Sequence, residues 1–370
     1  MTARKFSRRE ALDLVIGAKI LACGGGGSET KAVENILKTY NSANSFTLSE
    51  LDQLKPDDHI CIVGMVGGGI TEEDKKLVEK LTISQDNPMV AAVKELEDFM
   101  DLEFQGFVAT ELGPNNSIIP LMVAAQMEKV GIDGDCCGRS KPKISISTTR
   151  VAGIPISPFS IVNQYGDIQI VKKTVNDARG EIIAREASRI SGGSVSVARC
   201  PMTIEQAKTA VIQGTVSLAI DLGQKVREAN EKGDNPLEVF RNTIPDAKCI
   251  FSGKVKDFSR KEEGGFTSGE IILEATEKNT QQLRIWYQNE YLLSWLNDER
   301  YITCPDGFYI IDTQTGYGLT PWEEDFSEGK EVTVFTRDAP KIWQSGKGLK
   351  VFGPKAFDET WSGYRSSSSF

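Results

Sequence analysis

Cys23-Gly24-Gly25-Gly26-Gly27-Ser28 separates two helical patterns near the start of the chain. Four consecutive glycines carry no Cβ atoms, so the backbone there can take positive φ and admit a ligand or another backbone at close range. Upstream, Ser7 and Glu10 have the spacing of a capping box ahead of a broad apolar stretch from Ala11 to Leu21. Downstream, Val33, Ile36, Leu37 and Tyr40 recur at helical period, with Ser28 as the expected N-cap. The run therefore sets bare backbone at a helix N-terminus, where free N–H groups and the helix dipole favour an anion. A hinge between two packed helices is the other reading.

The same segment resembles a twin-arginine lipoprotein signal, with Ser7-Arg8-Arg9 followed by Ile20-Leu21-Ala22-Cys23. Asp13 and Lys19 break its apolar stretch and leave only Leu14 to Ala18 uninterrupted, whereas a signal needs roughly 7–15 apolar residues. Lipidation is not expected.

Composition narrows the field. The chain has 370 residues, enough for two domains, and is 39% hydrophobic and 26% charged, an ordinary globular balance. No stretch approaches the length of a membrane-spanning helix. The net charge is −9, with no basic cluster beyond the first nine residues, which argues against nucleic acid and anionic membrane as partners. Seven scattered cysteines without a C-x-x-C pair point to free thiols in a reducing, cytoplasmic setting. The single histidine, His59, stands where a loop meets an apolar run. A zinc site built on several histidines, including a binuclear amidohydrolase-type centre, is thereby excluded within one chain. A Ser-His-Asp triad would rest on His59 without a Gly-x-Ser-x-Gly elbow, and no Walker lysine follows the glycine run.

The first half reads as an α/β domain with a mixed sheet. Helices at about 7–21 and 28–41 lead to a strand at 59–66 that ends in Gly67-Gly68-Gly69, then to a helix at about 88–100. A short strand from Gly106 to Thr110 precedes Glu111, the turn Gly113-Pro114-Asn115-Asn116-Ser117, and an apolar helix to about Val130. Residues 131–150 read as a polar loop, with strand-like alternation from Ile144. The division into domains is expected near 172. Beyond it, helices at roughly 177–191 and 203–231 lead into a β-rich (α+β) C-terminal domain. Its cadence of short strands and glycine turns, including Gly253-Lys254-Val255 and Gly264-Gly265, suggests a twisted sheet or partial barrel. The tail from Ser366 to Ser369 reads as disordered.

Several constellations can carry chemistry. Glu111 follows a strand end, a position from which a carboxylate reaches a pocket as general acid or base; capping the next helix is the alternative. Asp133 and Asp135 share a side of an extended chain. Such a pair can split its pKa values and divide acid and base roles, bind a divalent metal, or make Asx-turns. Arg139 can hold a carboxylate bidentately. Cys136 and Cys137 can serve as soft metal ligands or a nucleophile; with no histidine nearby to activate them, they read as inert thiols. The polar triplet Gln288-Asn289-Glu290 follows Ile285-Trp286-Tyr287 on a strand, placed to hydrogen-bond a ring amide or simply to emerge into solvent.

Seven segments in register then resemble one family: Cys23-Gly24-Gly25-Gly26-Gly27; Gly64-Met65-Val66-Gly67; Glu111 with Gly113 and Asn116; Asp133-x-Asp135-x-x-Gly138-Arg139-x-x-Pro142; Gln288-Asn289-Glu290; Pro305-Asp306; and Val351-x-Gly353-Pro354. They are similar to the S-methyl thiohydantoin desulfurase family, long filed as a domain of unknown function beside hydantoinase/oxoprolinase genes, across roughly residues 8 to 358. Family members often have Thr where this chain has Cys23. The resemblance implies an α/β domain followed by a β-rich one, and hydrolytic loss of methanethiol from a 2-methylthio-imidazolone.

On that footing Glu111, Asp133 and Asp135 are the expected catalytic groups. The expected substrate-binding set is Cys23, Gly24, Gly25, Gly26, Gly27, Asn116, Arg139, Gln288, Asn289 and Glu290. No cofactor is expected; a divalent metal such as zinc, with Asp133, Asp135 and Cys136 as ligands, is the alternative. The expected partners are a small-molecule substrate and further copies of the chain in a homo-oligomer. Competing readings are an accessory subunit of a hydantoinase and a metal-dependent cyclic-amide hydrolase.

Overall fold

The computed structural model describes residues 3–42, 44–68, 70–263, 265–276, 281–321 and 324–369; Gly69 and Gly264 of the expected glycine turns lie outside them. Two sheets carry the architecture. The first has nine strands: β1 (Arg4–Lys5), β2 (Thr47–Ser49), β3 (His59–Gly67), β4 (Phe104–Ala109), β5 (Val130–Asp135), β6 (Phe159–Val162), β7 (Ile168–Val171), β8 (Ser194–Thr203) and β9 (Ile212–Gln213). Their order is β1-β2-β5-β4-β3-β8-β6-β7, with β9 on β5. Pairs β2–β5, β4–β5 and β3–β4 are parallel and the rest antiparallel, a mixed sheet as expected.

The second sheet is antiparallel and eight-stranded. Its strands are β10 (Lys248–Phe258), β11 (Lys261–Glu263), β12 (Phe266–Ala275), β13 (Gln282–Gln288), β14 (Glu290–Leu296), β15 (Glu299–Thr303), β16 (Gly307–Asp312) and β17 (Glu331–Arg337). Alternation along β13 buries Leu283, Ile285 and Tyr287 and leaves their neighbours half-exposed, the period-2 signature of a sheet with one face in the core.

Local signals set the N-terminal helices. Ser7 and Glu10 form the capping box of helix Arg8–Leu21, and the Ser28 side chain caps helix Glu29–Asn41. Helix Arg8–Leu21 packs closely on helix Thr215–Lys232. A Cβ on Gly17 would lie 1.8 Å from the Ala219 carbonyl oxygen, so glycine at this crossing is a packing requirement. The pair is further held by Arg227 on the buried Asp13 carboxylate at 2.7 and 3.1 Å. One hydrophobic core runs from Leu14 and Ala18 through Val216 and Ile220 to Ile271, Ile285 and Phe335, and so joins the helices to the second sheet.

Several expectations are corrected. The supposed loop after residue 131 begins as β5, because parallel pairing with β2 and β4 overrides the weak strand propensity of its glycines and aspartates. The apolar helix before it ends at Gln126, and residues Thr148–Ala152 are helical. The long helix expected at 203–231 is two helices, Ile204–Ala210 and Thr215–Lys232, parted by β9. Gly253-Lys254-Val255 lies inside β10. β8, beyond the expected division near 172, pairs with both β3 and β6 and so extends the first sheet. The tail is tied down: Ser366 and Ser367 donate to Asp338, and Tyr364 and the Ser367 N–H donate to Asp306.

Arg139 joins the halves. Fully buried, it donates to the carbonyls of Tyr291 and Asp306 in the second half and to that of Ser140 in its own loop. Arg139→Met should therefore lower the unfolding free energy by at least about 2 kcal/mol, since two buried carbonyls lose their donor at about 1–3 kcal/mol each. Chemical denaturation reads this directly, and an unchanged midpoint would contradict the clamp.

Candidate active site

The sheets meet at a cavity of about 800 Å³. The first half contributes Gly25 to Ser28, the end of β3 at Met65–Gly68, the segment Thr110-Glu111 after β4, Asn116 and Lys141. The second half contributes the hairpin around Phe266, with Asn289 and Glu290. The cavity thus opens at the carboxyl ends of parallel strands, where open α/β sheets place ligands.

The glycine run works mainly as a crossing point. Gly24, Gly26 and Gly27 have φ of 90°, 87° and 89°. A Cβ on Gly26 would lie 2.3 Å from the Gly113 Cα, and the Gly26 carbonyl accepts from the N–H groups of Asn115 and Asn116 at 3.1 and 3.0 Å. A Cβ on Gly24 would strike the Tyr291 ring, and one on Gly25 would sit 2.1 Å from Glu290 Oε1. The missing side chains thus let the loop, Tyr291 and Glu290 close around one another, while Gly25, Gly26 and Gly27 still face the cavity.

Two carboxylates dominate the interior. Glu111 accepts from Asn116 Nδ2 at 2.6 Å and from the Lys141 N–H at 3.1 Å, with Lys141 Nζ 3.5 Å away. Burial raises its pKa, and Lys141 opposes that rise. Glu290 is 3% exposed, and its Oε2 has no partner among the described residues. Burial pushes the Glu290 carboxyl well above the usual carboxylate range, and the Glu111 charge pushes the same way against Arg139 and Lys141. Both carboxyls are therefore raised, Glu290 further than Glu111, whose rise Lys141 opposes. Asn289 sits at φ 60°, its N–H donating to the Thr267 carbonyl at 2.7 Å and its side chain accepting the Thr267 N–H at 2.9 Å.

Other expected site residues do not reach the cavity. Asp133 accepts from the Ser217 N–H and hydroxyl at 3.0 and 2.6 Å, at the start of helix Thr215–Lys232. Asp135 accepts from the N–H groups of Cys137 and Gly138 and holds that turn. The two aspartates share a face of β5 as expected, but their hydrogen bonds turn them to the protein's own backbone. Neither lines the cavity with Glu111. Arg139 is the interdomain clamp. Cys23 is buried, its Sγ accepting from the Phe308 N–H at 3.2 Å, and Gln288 stays in the ladder opposite Ser268. Gly24 packs on Tyr291 rather than on the cavity.

Cys136 is buried in the first domain's core, where burial pushes its thiol up to about 12. Among the described residues no three His, Cys, Asp or Glu side chains are grouped to hold a metal ion, Asp133, Asp135 and Cys136 included.

Lys141, Thr110, Arg185 and Phe266 were not anticipated. Lys141 stands inside the motif Arg139-x-x-Pro142, and a lysine fixed in extended backbone before proline was the available signal. Arg185 stacks 4.4 Å over the Phe266 ring and donates to the Pro142 carbonyl, long-range contacts with no local signature.

A mixed-sheet domain and an antiparallel-sheet domain closing on a shared polar cavity define a two-domain class. Within it the chain belongs to the S-Me-THD-like family: residues 9–173 match its N-terminal domain and 175–363 its C-terminal domain. The fold is also that of an X-ray crystal structure of a protein from Chromobacterium violaceum, with TM-score 0.77 and 19% identity over 99% of this chain and 100% of that one. No curated protein matches the chain. No helix among the described residues is long and apolar enough to cross a membrane.

Three outcomes test this geometry. Glu290 keeps its proton to a higher pH folded than unfolded, so in that window the folded state binds more protons, and stability falls as pH rises above about 4.5 toward the raised folded value. Glu290→Gln cannot titrate; its Tm should exceed the wild type's at pH 8 and approach it near pH 4, and a constant difference would contradict a raised pKa. Separately, Gly25→Ala should displace the Glu290 side chain and abolish turnover in a folded protein. Gly26→Ala should fail to fold, because its Cβ meets backbone at a positive φ.

Proposed function

We propose that the chain is a hydrolase that releases methanethiol from an S-methyl thiohydantoin and yields the hydantoin. The observation that carries this is the pair of buried carboxylates, Glu111 held by Lys141 and Asn116, and Glu290 left with an unpartnered oxygen beside it. Family membership supports the substrate class.

The chemistry fits two carboxyl groups with separated pKa values. The ring must gain a proton on nitrogen before its C2 becomes strongly electrophilic, and the attacking water must lose one. Glu290, protonated, donates to the ring nitrogen as the C2=N electrons move onto it. Glu111, ionised, takes the proton from water as the new C2–O bond forms. On collapse the C2–O bond becomes a carbonyl, its proton passes to Glu290, and the C2–S electrons leave with sulfur. The proton stored on Glu111 completes methanethiol. Both carboxyls then stand as they began. The cavity is much larger than one five-membered ring, which leaves space for a side chain on the ring, with Arg185 and Asn289 on its walls.

The test is thiol release from purified protein given S-methyl thiohydantoins, followed with a chromogenic thiol reagent. Wild type should release methanethiol with a bell-shaped pH dependence of kcat/KM. Glu111→Gln and Glu290→Gln should each lose about 10²–10⁴-fold in kcat, the usual worth of general acid–base catalysis. Glu111→Gln should lose the acidic limb and Glu290→Gln the alkaline limb. Absence of thiol release by wild type, or full activity in either variant, would refute the assignment.

A further inference from the structure

Thr110 lies between two buried cations. Its Oγ1 accepts from Arg199 Nη2 at 2.6 Å and from Lys141 Nζ at 3.3 Å, and Lys141 also donates to the Thr110 carbonyl. Arg199 is 3% exposed and Lys141 5%. A threonine hydroxyl has two lone pairs and one proton. Lysine and arginine only donate, so both lone pairs are engaged and the proton must go to another acceptor. None is present among the described residues, and Thr110 lines the cavity next to Glu111. Two cationic donors also polarise the O–H bond and strengthen it as a donor.

We propose that the Thr110 hydroxyl is a catalytic hydrogen-bond donor to the leaving sulfur, stabilising the thiolate as the C2–S bond breaks. This rests on the hydrolase reading above. The hydroxyl transfers no proton. It is aimed at an atom that is nearly neutral in the bound substrate and carries the departing electron pair in the transition state, where a fixed donor is most effective. Arg199, behind it, is a positioning residue: it occupies the lone pair that would otherwise let the hydroxyl rotate, and so holds the proton toward the cavity.

The experiment compares two substrates that differ only at sulfur, the S-methyl and the S-(2,2,2-trifluoroethyl) thiohydantoin. Fluorination makes the departing thiolate a weaker base that needs less stabilisation. Thr110→Val should slow release of methanethiol by about 10²–10³-fold, the scale of losing one oxyanion-hole donor. It should slow trifluoroethanethiol release by less than a tenth of that factor. Thr110→Ser, which keeps the hydroxyl, should stay within about tenfold of wild type on both, well short of the loss expected for a missing donor. Should Thr110→Val not fold, Thr110→Ala removes the same hydroxyl with less bulk and carries the comparison.

An equal loss on both substrates would show that Thr110 only holds Lys141, and would overturn the proposal while leaving the hydrolase reading intact. A Thr110→Ser variant as poor as Thr110→Val would overturn it too. Failure of wild type to release either thiol would instead overturn the hydrolase reading, and this proposal with it.

Discussion

At Gly26 and Gly113 two loops of the first domain cross with no side chain between them, and the Gly26 carbonyl takes two N–H groups from the loop it crosses. That contact fixes where the segment after β4 runs, and hence where Glu111 and Asn116 point. Its neighbour Gly25 then presents a flat wall, against which Glu290 lies. Cys23 continues the same strand of backbone into the second domain, its carbonyl accepting from the Tyr291 N–H at 2.9 Å. One run of small residues thus sets the register of three segments from separate parts of the chain. An added methyl group at the crossing would meet backbone, which cannot swing aside as a side-chain end can.

Around this contact the protein gathers an unusual density of buried charge. Glu111, Glu290, Lys141, Arg139 and Arg199 are all buried, and Lys141 acts on both carboxyls. Isolated ions in such a place would be costly, so each charge is met by hydrogen bonds or by an opposite charge. Glu290 is the exception. With one oxygen unpartnered and a carboxylate beside it, its favourable state is the neutral acid. Burial and the neighbouring carboxylate thus make Glu290 the group that keeps its proton to the higher pH.

Local signals were legible in the sequence and long-range ones were not. Ser7 with Glu10, and Ser28, reported helix starts correctly because caps are decided within four residues. Glu111 could be placed by its strand end and by the glycine beyond it. Asp133 and Asp135 misled because their spacing truly puts them on one face, yet nothing local says which face meets the cavity. Here it meets the start of helix Thr215–Lys232, more than 80 residues away in sequence. Glu290 was visible only as part of a polar triplet. Its acidity depends on burial against Gly25 and on proximity to Glu111, neither of which a single sequence displays. β8 escaped notice because its partners β3 and β6 lie well before it in the chain.

The packing of Glu290 on Gly25 has a consequence for synthesis. About 265 residues separate them. At roughly 5–20 residues per second a ribosome needs about 13–53 s to pass from one to the other. For that interval the glycine loop is made without the wall it packs on, and until residues 215–232 are made the helix Arg8–Leu21 lacks its partner. The first domain emerges with an apolar helix face uncovered and a sheet still lacking β8. The walls of the cavity therefore cannot all be in place until about four-fifths of the chain has been made.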